Sequence, residues 1–114
     1  MTDPVPVTME TVRHLALALP GVEEGTSYGT PAFRVRGRFL ARLHEDGVTL
    51  VIRTDEAERL VRMLADPETF YMTPHYAGSQ MLLVRLVTVD PEDLRDLLVQ
   101  AWRSQAPKRL TALF

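Results

Sequence analysis

PAFRVRGRFLARLHEDGVTLVIR, residues 31–53, decides the fold. Glycine at 37, between two arginines, and the Asp46-Gly47 pair are hairpin turn chemistry: glycine enters the left-handed region without steric cost, and Asp-Gly is a preferred tight-turn dipeptide. Three runs lie around these turns, about Ala32 to Val35, Phe39 to His44 and Val48 to Arg53, and they read as three consecutive antiparallel strands. A three-residue loop over 36–38 sets Val35 opposite Phe39. Phe33, Val35, Phe39, Ala41 and Leu43 then face the core, and Arg34, Arg42 and His44 face the other way with Leu40. A two-residue loop mixes apolar and charged groups on both faces, and a one-residue slip exchanges the faces. The three-residue loop is the expected register.

Working outward, Thr8 precedes a helix with Val12, Leu15, Ala16 and Leu19 on one face, which Pro20-Gly21 ends. Residues 1–7 read as an extended lead-in, and 22–30 as irregular with at most a short strand near Tyr28. Thr54 caps a second helix whose apolar stripe is Ala57, Leu60, Val61 and Leu64. Phe70–Met72 is a short strand, 73–80 a loop, and Met81–Val87 (MLLVRLV) a buried strand. Asp90-Pro91 opens the last long helix, with Leu94, Leu97, Leu98, Ala101 and Trp102 inward, and Pro107 closes it. The expected fold is α+β: one domain over residues 1–114, two layers, an antiparallel sheet with helices on one face, in the order α-β-β-β-α-β-β-α.

Composition narrows the function. The 114 residues are 46% hydrophobic and 25% charged, with a formal net charge of -2. A single globular domain follows, and the acidity counts against a general affinity for nucleic acid. With no cysteine, thiol chemistry and cysteine-held metals are excluded. The first ten residues lack the pattern of a secretory signal, and no apolar run is long enough to span a bilayer, so a cytoplasmic protein with no membrane partner is expected. GxSxG, GxGxxG and GxxxxGK[ST] are all missing. His14, His44 and His75 lack metal-ligand spacing, and Glu23-Glu24 has no partner nucleophile. The expectation is a non-enzyme with no catalytic residue, no metal and no cofactor.

The candidate binding residues are the arginines. Arg34, Arg36, Arg38 and Arg42 are concentrated on the hairpin, with Arg53 and Arg85 on its flanks. A guanidinium fork suits phosphate oxygens, and a β-ribbon fits a major groove. The same residues also suit a solvated strand face that protects a sheet edge. A homodimer using an exposed sheet face with Leu40 and Val51 is an alternative. A third reading is a small-ligand binder or enzyme using Tyr28, His75 and Tyr76.

Three segments carry a family likeness: VRHLALALPGVEE (12–24), YGTPAF (28–33) and GRFLA (37–41), with LVRLVTVDPEDLRDLLVQAWR (83–103) near the end. Together they resemble the MmcQ/YjbR family. The resemblance implies a CyaY-like or secretion-chaperone-like α+β fold. It also implies DNA as a partner, the family's customary label, for which a "double wing" has been proposed. The frequent Gly-Lys of the family is Gly37-Arg38 here, which keeps the charge. The tryptophan many members carry before the last strand is replaced by Ser79-Gln80-Met81.

Overall fold

The computed structural model describes residues 6–114; most of the expected lead-in, residues 1–5, lies outside them. The element order is α1 (Met9–Leu17), β1 (Val22–Ser27), β2 (Thr30–Val35), β3 (Arg38–Leu43), β4 (Thr49–Arg53), α2 (Glu56–Ala65), β5 (Phe70–Tyr71), a 3-10 turn at Pro74–Tyr76, β6 (Met81–Arg85), α3 (Pro91–Gln105) and α4 (Lys108–Thr111). The strands form one antiparallel sheet in the order β1-β2-β3-β4-β6-β5. This is the expected α+β architecture with one more strand: β1 occupies part of the segment read as irregular. Its residues, VEEGTS, are mostly exposed at a sheet edge, where no apolar alternation is required.

The hairpin register corrects the expectation. Arg36 and Gly37 alone make the β2–β3 loop, with φ +51° and +79°, and Val35 pairs with Arg38. Two successive left-handed residues are the turn whose twist matches a hairpin. Arg34 then pairs with Phe39, but Phe33 pairs with Ala41. Leu40 is therefore an extra residue in β3, a bulge that restores the phase of the strand. Leu40 enters the core, fully buried, while Phe39 turns to the opposite face beside Arg34. Turn chemistry and hydrophobic pattern are both satisfied at the cost of one unpaired residue.

One sheet face carries Phe33, Val35, Ala41, Leu50, Ile52, Leu82 and Val84, packed under α1 and α3. Leu94, Leu97, Leu98, Ala101 and Trp102 of α3 are buried there. Asp90 caps α3 by accepting the Glu92 amide at 2.8 Å. Trp102 is fully buried, and its Nε1 donates to the Pro20 carbonyl at 2.8 Å, so it is a core residue and lines no surface.

α2 differs from its sequence pattern. Its cap is Asp55, not Thr54, and it turns its apolar stripe outward: Leu60, Val61 and Leu64 are 57%, 60% and 75% exposed. The opposite side holds it in place. Arg59 Nη1 donates to the carbonyls of Ser79 (2.6 Å) and Met81 (3.2 Å). Arg62 donates to Glu58 (2.8 Å) and Asp93 (3.0 Å) and lies 5.7 Å from the Phe70 ring centroid. Polar anchoring to neighbouring elements overrides the stripe, a tertiary effect invisible to periodicity. Among the described residues no helix is long and apolar enough to cross a membrane.

Candidate functional site

The second sheet face sets Ala32, Arg42, Val51, Leu83 and Tyr71 in one row across five strands. This face is largely covered. Ala32, Val51 and Leu83 are buried, and Arg42 is only 6% exposed. Leu40 and Val51, expected as an exposed contact surface for a second copy, are both buried, one in each face. The cover comes from two pieces: the β1–β2 turn with Tyr28, and the loop around Pro74–Tyr76.

Arg42 is the hub of this face. Its Nη1 donates to the Leu43 carbonyl (3.2 Å) and Glu45 Oε1 (2.8 Å), and its Nη2 donates to the Tyr76 hydroxyl (2.9 Å). The guanidinium carbon is 5.0 Å from the Tyr28 ring centroid. Around it opens a cleft of about 380 Å³, with Phe39, Val51 and Met81 among its apolar walls and Tyr28, His75 and Tyr76 around it. His75 and Tyr76 meet edge to face, centroids 4.8 Å apart. The structure thus brings Tyr28, His75 and Tyr76 together, although they come from two distant loops.

The six arginines singled out in the sequence divide between two faces. Arg34 is half-buried and donates to the Thr26 carbonyl at 3.3 Å. Arg53 Nη1 reaches Gln80 at 3.2 Å, and its Nε is a buried donor without a partner. Arg85 is exposed, 4.2 Å from the Tyr71 ring centroid. With Arg42 these lie on the second face. Arg36 and Arg38, both exposed, sit at the hairpin tip on the α3 side, beside Ser104, Gln105, Ala106 and Pro107.

The segment beside that tip carries three further cations in its flanks: Arg103, at the end of α3, and Lys108 and Arg109 in α4, all exposed. α4 is placed there by Leu110, which is buried and lies close to Gly21 alongside Val35. No carboxylate side chain pairs with Arg36, Arg38, Arg103, Lys108 or Arg109 among the described residues. A signal was present: residues 31–44 and 101–114 contain no Asp or Glu, while the acids fall elsewhere. The fold brings these two acid-free segments to one end. The negative end of the α3 dipole, about half a charge, offsets little of five cations.

The three histidines occupy separate places: His14 on α1, His44 in the β3–β4 loop, and His75 at the cleft. No group of three His, Cys, Asp or Glu residues among those described is arranged to hold a metal.

A solved structure shares this architecture. The crystal structure of Deinococcus radiodurans protein DR2400, with a DUF419 domain, matches with a TM-score of 0.75 at 21% identity, covering 94% of this chain and 87% of that one. That likeness concerns the fold. Uncharacterised proteins of Mycobacterium bovis and of two Mycobacterium tuberculosis strains are 36% identical over 61 residues, 54% of this chain and 47% of each relative. The match thus spans about half the length of these curated relatives. The YjbR family model matches residues 17–104, from the end of α1 through nearly all of α3, and the chain belongs to the YjbR family.

Proposed function

We propose that this chain is a non-enzymatic binding module that contacts nucleic-acid phosphates through its basic end: Arg36, Arg38, Arg103, Lys108 and Arg109. The observation that carries the reading is the meeting of two acid-free segments, with five exposed cations and no carboxylate ion pair among them. A net charge of -2 over the whole chain is compatible with this, because local clustering sets the field a polyanion meets at close range. The acidic remainder orients the approach by repelling phosphate elsewhere. Arg36, in the two-residue turn, and Arg38, at the start of β3, are both exposed. Arg42, buried and already bonded to Glu45 and Tyr76, is no contact to nucleic acid in this reading.

The test is fluorescence anisotropy of a labelled DNA duplex, titrated at several salt concentrations. Four or five phosphate contacts give a log–log salt slope of about -4. Arg36→Glu/Arg38→Glu and Lys108→Glu/Arg109→Glu should each weaken binding and reduce the slope by about 2. Arg34→Glu/Arg85→Glu, on the other face, should leave both nearly unchanged. Failure of the wild type to bind at low salt, or equal losses from all three double variants, would reject the basic end as the contact.

A further inference from the structure

We infer that the cleft over Arg42 is a binding site for a small planar aromatic molecule bearing an oxyanion, a carboxylate or a phosphate. The site lies on the sheet face opposite α3, shares no residue with the basic end and stands independently of it. Its volume of about 380 Å³ lies within the span of small-molecule sites.

Three features point to that ligand. The first is the floor. Arg42 uses two Nη1 protons on Leu43 and Glu45 and one Nη2 proton on Tyr76. A guanidinium has five N–H donors, so Nε and the second Nη2 proton have no acceptor among the described residues. Nε is also not sealed in: the only buried side-chain polar atom lacking a partner among those residues is Arg53 Nε. An arginine holding donors in reserve beside a cleft is suited to grip oxyanion oxygens. Glu45, which neutralises it, is 54% exposed at its side chain, so water weakens its hold relative to an anion in the cleft. The Tyr76 hydroxyl accepts from Arg42 and retains its own proton to donate.

The second feature is Tyr28. It occupies the first position of a two-residue turn with φ +53° and is 84% exposed. A left-handed tyrosine is strained relative to glycine, and so exposed a ring recovers little of that by burial. What it provides is a wall of the cleft above Arg42. The third feature is the rest of the lining, where His75 and Tyr76 present further aromatic surface and Phe39, Val51 and Met81 add apolar surface. An aromatic and apolar lining suits a flat ring, and the guanidinium at the floor suits its anionic substituent.

Benzoate, phenyl phosphate and neutral benzamide, titrated against the full chain and followed by ligand-observed NMR, test the inference. Benzoate or phenyl phosphate should saturate, and benzamide should bind more weakly than both; which anion binds tighter identifies the oxyanion. Tyr28→Gly removes the wall and relieves the left-handed strain, so its melting temperature should stay within a few degrees of wild type. Its affinity should fall about fivefold or more, equivalent to one lost aromatic contact. Tyr76→Phe should produce a comparable loss. Arg36→Glu/Arg38→Glu should bind these probes as the wild type does. No saturable binding by either anion, benzamide binding as tightly, or undiminished binding by folded Tyr28→Gly would overturn the site.

Discussion

At the scale of single residues, two glycines show how the same local chemistry acquires different weight. Gly21 and Gly37 both have φ near +78°, at +77° and +79°. Among the described residues a Cβ at position 37 would meet nothing within 4 Å, whereas one at 21 would lie 2.8 Å from Leu110 Cδ1 and 3.5 Å from Val35 Cγ2. Gly37→Ala therefore carries only the left-handed backbone cost, about 1–2 kcal/mol. Gly21→Ala adds overpacking against a buried leucine, typically another 1–3 kcal/mol. Urea denaturation should show the larger midpoint drop for Gly21→Ala; equal drops would mean that Leu110 moves aside freely. The need for glycine at both positions is legible from Pro20-Gly21 and Arg36-Gly37. The Leu110 contact is not, because nothing local to residue 21 reports which distant side chain returns to cover it. Arg42 is similar. Alternation correctly sets it opposite the core, but its burial depends on a loop arriving from residues 72–80.

At the scale of elements, the β3–β4 connection shows a turn whose stability is charge-dependent. Asp46 Oδ1 accepts the amides of Val48 and Thr49, both at 2.9 Å, and Oδ2 accepts the Thr49 hydroxyl at 2.8 Å. Partial burial alone would push the Asp46 carboxyl up. The hydrogen bonds to its charged form, aided by His44, outweigh that and hold it below the usual value of 3.8. A group lowered in the folded state stabilises the protein above its unfolded pKa, and that contribution is lost as pH falls through the folded value. Stability should thus hold from neutral pH to about 4 and decline on further acidification. Asp46→Asn keeps one acceptor oxygen but cannot titrate, so it should lie below wild type at pH 7, and the gap should narrow as pH falls below about 4. Urea midpoints at these pH values check this; a constant gap would remove Asp46 from the acid response. The Asp-Gly signal made this turn legible, as Asp90-Pro91 did the start of α3. The α2 stripe misled because Ala57, Leu60, Val61 and Leu64 have core periodicity while Arg59 and Arg62 dock the other side. The exchange of Phe39 and Leu40 was hidden because alternation assumes an unbroken ladder, and the bulge breaks it.

At the scale of the molecule, stability converges on α3. It packs on β3 and β4, contacts α1, and through Trp102 hydrogen-bonds the connection between α1 and β1. The indole is fully buried, with its ring centroid 5.2 Å from that of Phe114. One side chain thus joins three elements and the C-terminal turn to a single core. Trp102→Phe keeps an aromatic ring but leaves the Pro20 carbonyl without its donor, costing about 1–3 kcal/mol, and opens space where the second indole ring was. The combined loss should be about 2–4 kcal/mol, since cavity and transfer costs add in a well-packed core. For a domain of this size each kcal/mol moves the melting temperature by about 4–5 °C, so a fall of about 10–20 °C is expected by far-UV circular dichroism. Because α3 belongs to the same core as the sheet, the transition should stay single and the urea m-value should match wild type. A second transition would show that α3 detaches as its own unit, and a fall of only a few degrees would mean that the Pro20 bond contributes little to joining these elements.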